Sequence, residues 1–302
     1  MPPSGVQVGS VYDGIGDPTT PGWPSTGECE RLSDKEVENT GNVPLIPLLP
    51  ISWADGDAII RTIGGKVANV DWQGGEDSPI YRVGLGPAIA NLSYEGKQVI
   101  ITIQNVIAVI EGEEEPDRFV ILGNHRDAWT FGAVDPNSGT ATLLMVLFLI
   151  ETALSLEKLQ KIGWKPRRTI VLCNWDAEEY GLVDPSSLLI GLAEWVEENR
   201  EMLAARVVAY LNVDCAVQGG PFRASATLQL DDIIIEAARQ VQDPDNSSQT
   251  IYQSWLASDN DTTLGRLGGA GSDYAAFVQH IGTPALDMSF GNVASIWGLV
   301  AL

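Results

Sequence analysis

The sequence predicts an α/β protein: a mostly parallel, mixed sheet flanked by helices, together with part of a separate β-rich, loop-rich domain. Three features carry this. Apolar strand-like runs alternate with helical patterns from residue 119 onward, several of these runs end in acidic or imidazole side chains, and turn signals crowd the chain before residue 98. Taken in order, the patterns predict a strand at 119–122, a helix at about 138–160, a strand at 169–173, a helix at about 193–205 and a strand at 207–213. A helix at about 231–241, a second near 273–281 and a strand near 284–289 complete the series. Two further β-rich runs, 99–104 and 106–111, stand ahead of the acidic turn EGEEEPD. Residues 1–98, with GDPTTPGWP and WQGGEDSP between short apolar runs, are expected to form one domain and residues 99–302 another. Ligands of open α/β sheets bind beyond the carboxyl ends of the strands, so the chemistry is sought there.

Composition narrows the function. With 40 acidic and 18 basic residues among 302, the net charge of −22 argues against a nucleic-acid or anionic-membrane surface and suits a soluble protein or one that collects cations, a solvated acidic surface accounting for most of it. Cys29, Cys173 and Cys215 are too few and too scattered for a disulfide framework, no CxxC pair is present, and Cys173 and Cys215 sit in apolar runs as buried free thiols. The run LLMVLFLI is far shorter than the roughly 20 residues needed to span a bilayer and reads as a core helix. MPPSGVQVGS has no charged and apolar regions of the kind that make a signal peptide. Sequons at Asn91, Asn246 and Asn260 suit a secretory lumen and also arise by chance.

The strand ends carry potential metal ligands. FVILGNHRDAW supplies His125 and Asp127, TIVLCNWDAEEYG supplies Asp176, Glu178 and Glu179, VVAYLNVDCAV supplies Asp214, and Asp135 precedes the long helix. One imidazole with several carboxylates is a donor set for zinc or a similar divalent ion. Singly, Asp135 ahead of PNSG reads equally well as a turn or helix start, and Glu178 and Glu179 as a solvated loop. Three strand ends and one helix start with the same donor chemistry make joint coincidence a poor explanation. Asp176 is expected to be architectural. In extended backbone, neighbouring glutamates face opposite sides, so one suits metal binding and the other proton transfer in metal-assisted amide hydrolysis.

The blocks GNHRDAWTFGAVDPNSGTATLL, GWKPRRTIVLCNWDAEEYGL, AEWVEENREMLAARVVAYLNVDCAV and GAGSDYAAFVQHIGTPALDMSF resemble, in order, those of the M28 zinc peptidases. Within that superfamily they are similar to the glutamate carboxypeptidase II branch, in its plant-type wording, and they extend over about 200 residues. The resemblance implies a zinc-exopeptidase-like catalytic domain at 99–302 and, in 1–98, the C-terminal part of the apical, protease-associated domain. It implies two zinc ions, one held by His125 and Asp214, the other by Glu179, with Asp135 bridging them. Asp127 would orient His125, and Glu178 would be the general base. It also implies a structural calcium at Thr20, the Trp23 backbone, Glu194 and Glu197, with Arg223 and Ser272 on the substrate side. The expected activity is carboxypeptidase-type hydrolysis of a peptide, with a receptor-like or regulatory protein on the same fold as the alternative.

The chain also departs from that pattern. The branch supplies a second-zinc histidine in a YHSxYD-like segment and then a helical dimerisation domain, whereas this chain ends SFGNVASIWGLVAL and holds only two histidines. His280 is expected to be a surface or packing residue. The expectation is therefore a chain truncated at both ends and VDPSSLLIGL as an insertion, with one zinc bound tightly and little peptidase activity alone. Homodimers and a lumenal or extracellular position belong to the complete family members. Arg223 matches one member of the arginine cluster that reads an acidic side chain, but Asp287 stands where another would be, which counts against glutamate preference.

Overall fold

A computed structural model describes residues 2–6, 9, 12, 14–75, 78–96, 99–155, 163–181, 190–259, 264–267 and 271–291. The chain divides into two compact units, one built on Met1–Val8 and Pro44–Ile100, the other on Gly9–Val43 and Ile101–Val293. The stretch 1–98 is thus not one body. Residues 9–43 join the sheet-bearing unit because the Asp17 and Ser25 N–H groups donate to the two carboxylate oxygens of Glu194, far along the chain.

Helix α1 (Asp34–Thr40) starts at a capping box formed by Ser33 and Glu36 and stops at Gly41, whose φ of 82° is the left-handed conformation that glycine adopts without a Cβ clash. In the unit built on 44–100, α2 (Trp53–Ile60) begins at Ser52, which accepts from the Asp55 N–H. The short strands β1 (Lys66–Val67) and β2 (Arg82–Val83) pair antiparallel beside it. Most of that unit is turns, in keeping with its Gly and Pro content.

The second unit contains the mixed α/β sheet expected from the alternation. Its strands are β3 (Val106–Ile110), β4 (Glu115–His125), β5 (Arg168–Trp175), β6 (Val207–Asn212), β7 (Val217–Gly219), β8 (Phe222–Ala226), β9 (Gly265–Arg266) and β10 (Ala285–Gly291). They lie in the order β3-β5-β4-β6-β10-β8-β9, with β7 beside β10. The central neighbours β5, β4, β6 and β10 run parallel, while β3 pairs antiparallel with β5 and β8 antiparallel with β10. From β4 the chain goes first to β5 on one side and later to β6 on the other. In open α/β sheets a reversal of this kind marks the strand ends where ligands bind, here the carboxyl end of β4.

Side chains alternate across this sheet. Ile121, Val171, Cys173, Trp175 and Tyr210 pack on one face with Leu192, Val196, Leu203 and the segment Tyr274, Ala275, Ala276 and Phe277. Leu122, Ile170 and Leu172 pack on the other with Leu143, Val213 and Ala216. Both faces are covered, so the strands read as continuous apolar runs. The helices are α3 (Asn137–Ser155), α4 (Ile190–Glu198), α5 (Arg200–Arg206), α6 (Asp231–Gln240), α7 (Ile251–Asp259) and α8 (Tyr274–Ile281). No helix among the described residues is long and apolar enough to cross a membrane.

Several predicted elements differ in detail. Residues 99–104 form no strand: Val99, Ile100 and Ile101 are exposed, and the Gln104 N–H is used by the Asp176 carboxylate at 2.9 Å rather than by a neighbouring strand. The acidic turn is shorter than expected because Glu115 already belongs to β4, paired with Arg168 and bridged to Arg167 and Arg168 at 2.9 and 2.7 Å. The helix expected at 193–205 is two helices that meet at Asn199. Strands β7, β8 and β9 and helix α7 had no counterpart in the prediction. Residues 182–189, most of the expected insertion, and 292–302, where the second-zinc histidine was sought, lie outside the described residues.

Candidate metal centre

The carboxyl ends of β4, β5 and β6 converge on His125. Its side chain is fully buried, and Nε2 lies 3.0 Å from Asp135 Oδ1 and 3.1 Å from Asp214 Oδ1. Nδ1 is 3.0 Å from the Asp127 carbonyl oxygen, an acceptor, which makes Nδ1 the donor there and turns Nε2 to the carboxylates. Glu178 Oε2 approaches Nδ1 to 3.8 Å. Donor atoms of His125, Glu178 and Asp214 fall within 4.8 Å of one another, as do those of Asp135, Asp214 and Cys215.

The loops that hold these groups are tied together locally. Asn124 Nδ2 donates to the Pro136 carbonyl at 3.1 Å and to Thr140 Oγ1 at 2.9 Å, tying the segment with Asp135 and the start of α3 to the end of β4. Asp127 spans two strand ends: its carboxylate accepts from the Glu178 N–H at 3.0 Å and from the Glu179 N–H at 3.1 Å. Asp176 has the architectural position expected of it, accepting from Arg126 at 2.8 Å and from the Gln104 and Ala177 N–H groups at 2.9 and 3.1 Å. Ala177 adopts a φ of +58°, uncommon for a residue with a Cβ, and so turns the chain sharply after β5.

That turn corrects the assumption that Glu178 and Glu179 lie in extended backbone. Glu179 opens a short 3-10 turn, Glu179–Gly181. The two glutamates are nevertheless in different surroundings. Glu178 is fully buried and faces His125, with neither carboxylate oxygen hydrogen-bonded. Glu179 accepts from the Trp129 N–H at 3.3 Å and feels the charge of Asp135.

Electrostatics mark the cluster as a cation site. Burial lifts the Glu178 carboxyl well above its usual range against the pull of His125, and Asp214, Asp273 and Glu179 add to the rise. Burial and Asp135 push Glu179 up to about 8. Burial would lower His125, but the charges of Glu178 and Asp214 and bonds to Asp127 and Asp135 hold it well above its usual value. Asp127 stays low despite burial because His125 and two backbone N–H groups stabilise its charge. The buried oxygens of Glu178 and both oxygens of Asp273 have no hydrogen-bond donor. Buried carboxylates without donors are costly, and an ion of opposite charge removes the cost. The donors therefore fit zinc, with binding coupled to release of the protons that these groups otherwise hold.

The other predicted positions fall in three places. Thr20, Glu194 and Glu197 are buried; Thr20 Oγ1 and both oxygens of Glu197 lack a donor, and burial with the charge of Glu194 pushes Glu197 up to about 8. Trp23 belongs to the same turn, its N–H donating to the Thr20 carbonyl at 3.2 Å. His280 lies beside Glu197, Nδ1 to Oε1 3.8 Å, and is distinct from the ligand group around His125. Ser272 is buried, donating to Asp214 Oδ2 at 2.6 Å and accepting from Asn212 Nδ2 at 2.8 Å, which makes it a support for Asp214. Arg223 lies on β8, opposite Ser289 of β10.

Two site residues escaped the sequence reading. Asp273, fully buried and close enough to His125 and Asp214 for their charges to act on it, lies at the start of the helix expected near 273–281. Cys215, expected as a buried strand thiol, is half-buried and follows β6, with Sγ donating to Asp214 Oδ1 at 3.5 Å. The acidic residue two places after the histidine was the available signal for Asp127; nothing comparable distinguishes Asp273.

Ions and protons compete for this protein. Glu178, Glu179, Glu194, Glu197 and Asp287 all have folded-state pKa values above their ordinary ones, so the metal-free fold binds more protons than the unfolded chain as pH rises from about 4.5 to about 8. The raised His125 contributes in the same direction, its stabilisation being lost as pH rises through its folded value. In a chelator, the melting temperature is expected to fall steadily from pH 5 to pH 8. A divalent ion that binds these carboxylates should restore it most at pH 8; an unchanged melting temperature across that range would contradict the linkage.

The model of Peptidase family M28 matches residues 105–297. "Probable glutamate carboxypeptidase LAMP1" of Arabidopsis thaliana is 64% identical over 292 residues, which cover 97% of this chain and 40% of that protein. "Aminopeptidase NAALADL1" of Mus musculus is 38% identical over 308 residues, 96% of this chain and 39% of that protein. The chain thus spans about two fifths of the length of these curated relatives. Among solved structures, BSAP, a zinc aminopeptidase from Bacillus subtilis, is 17% identical, with a TM-score of 0.39 and coverage of 63% of this chain and 40% of that one.

Proposed function

The chain belongs to peptidase family M28, and on that footing we propose that it carries most of the centre of a zinc-dependent exopeptidase, of carboxypeptidase type, acting on peptide bonds. The observation that carries this reading is the approach of Asp135 and Asp214 to one imidazole nitrogen, with the unpaired, buried carboxylate of Glu178 on the ring's other side.

His125 and Asp214 would hold one zinc, Glu179 the other, and Asp135 both; the further histidine of the second ion is not among the described residues. Bound zinc would supply a water of lowered pKa and polarise the scissile carbonyl. Glu178, withdrawn from solvent and from hydrogen-bond donors, would accept the proton of the attacking water and return it to the leaving amine. Asp127 keeps His125 in the tautomer that leaves Nε2 free for a ligand, and Ser272 holds Asp214 in place.

A calcium ion at Thr20, the Trp23 carbonyl, Glu194 and Glu197 would join the segment 9–43 to α4, and the donorless oxygens there support it. Within the expected 1–98 domain, assignment of the separate unit that holds 44–98 to the C-terminal part of a protease-associated domain, a homodimer in the complete protein, and a lumenal or extracellular position belong to the same proposal. The exposed sequons at Asn91 and Asn246 support that location. The test is equilibrium dialysis with zinc followed by assay of short peptides, with free amino acid as product. One zinc at micromolar or tighter affinity is expected, with at most slow release of an amino acid from this chain alone; failure to retain zinc at neutral pH would reject the reading.

A further inference from the structure

The turn after β6 brings to the metal centre a thiol that the zinc-peptidase reading does not use. Cys215 Sγ lies 3.5 Å from Asp214 Oδ1, the same oxygen that faces His125 Nε2 at 3.1 Å. Sγ and one carboxylate oxygen each of Asp135 and Asp214 fall within 4.8 Å of one another. Asp135 Oδ1 is in turn 3.0 Å from the same imidazole nitrogen. An imidazole, two carboxylates and a sulfur are thus gathered in one place.

The backbone holds the thiol there. The Ala216 N–H donates to the Asp214 carbonyl at 3.1 Å, and Gln218 Nε2 donates to the Cys215 carbonyl at 3.3 Å. The Val217 N–H donates to Ser138 Oγ at 3.2 Å, which ties the turn to the start of α3, close to Asp135 in the chain. Asp214 does not need the thiol to be held, since Ser272 donates to its other oxygen at 2.6 Å. The spacing suits zinc: ligands at about 2.0–2.3 Å from a tetrahedral ion lie roughly 3.3–3.6 Å apart. The observed separations of 3.0, 3.1 and 3.5 Å are close to those edges. Glu178 points independently to a cation here, being fully buried with no donor to either oxygen and within 4.8 Å of the donor atoms of His125 and Asp214.

Resting on the zinc-peptidase reading, we propose that the Cys215 thiolate is a direct ligand of the ion held by His125, Asp135 and Asp214, which makes this a nitrogen, oxygen and sulfur site selective for a thiophilic divalent ion. On binding, the S–H bond breaks, sulfur bonds to the ion, and the proton passes to solvent. A thiolate favours zinc or cadmium over hard ions such as manganese and magnesium. It also occupies the coordination position that a catalytic zinc leaves open, in keeping with the slow hydrolysis expected of this chain.

Cobalt serves as the spectroscopic probe. The full chain in its native form, C215S and C29S are freed of metal with a chelator, kept reduced, and titrated with cobalt(II) under visible and near-ultraviolet absorption. The native chain and C29S should develop thiolate-to-cobalt charge-transfer absorption with the first equivalent. Cys173 is fully buried in the core, so that absorption in C29S already assigns the sulfur to Cys215. C215S should bind cobalt with visible ligand-field bands but no charge-transfer absorption. Its zinc affinity, read by chelator competition, should fall by at least about 10–100-fold, the loss known for groups that only support a metal ligand. Its ratio of cadmium to manganese affinity should fall about tenfold or more. Cobalt bound by the native chain without charge-transfer absorption, or absorption that survives in C215S, would overturn the role of Cys215 and leave the peptidase reading intact. Native chain that binds neither cobalt nor zinc would overturn both.

Discussion

Replacing Glu178 by Gln is expected to lower peptide hydrolysis by about 10²–10⁴-fold while leaving bound zinc nearly unchanged. The amide has nearly the same shape, so packing around this fully buried position is kept, but it accepts no proton. The surroundings explain the size of the effect. Neither oxygen of Glu178 is occupied by a donor, and burial raises its proton affinity toward that needed to take a proton from an acidified water. Because Glu178 also lies within 4.8 Å of the donor atoms of His125 and Asp214, a different outcome is informative. Loss of zinc in step with loss of turnover, measured by metal analysis of the purified variant, would make Glu178 a ligand and remove it from the role of base.

Asp127→Ala is expected to weaken zinc binding by about 10–100-fold although Asp127 is assigned no metal. Its carboxylate is the acceptor for the Glu178 and Glu179 N–H groups, and its carbonyl fixes the His125 ring. Removing the carboxylate leaves two backbone donors unsatisfied at the turn that positions both glutamates, a change of about 1–3 kcal/mol for each buried group. Competition with a chromophoric chelator reads the affinity, and chemical denaturation reads the stability. Asp127→Asn, which keeps an acceptor oxygen, should recover part of both. An alanine variant with native zinc affinity would show that the metal-binding geometry is held without Asp127.

The alternating strands and helices were readable because both signals are local. Apolar runs such as TIVLC and VVAYL need only their own residues to predict buried strands, and the ends of those runs place His125, Asp176 and Asp214 at one sheet edge. The same locality misled at 99–104, where a β-rich composition found no partner strand, and at Glu115, where two arginines across the sheet drew an expected turn residue into β4. Strands β7, β8 and β9 are short and held mainly by their pairing, so little in their composition announces them.

Residue type and order were enough to nominate the candidate zinc donors, to set Asp176 apart as structural and to group the chain with the M28 peptidases. The division of the first hundred residues, the turn at Ala177 and the different surroundings of Glu178 and Glu179 required the folded chain. So did the burial of Asp273 and the link from Asp287 through Asn212 and Ser272 to Asp214. The physical reason is distance along the chain. A strand or a ligand type is encoded over a few adjacent residues, whereas the charge state and orientation of a carboxylate depend on groups brought beside it from segments 50 or more residues away, as Asp127 is beside Glu178 and Asp287 beside Asn212.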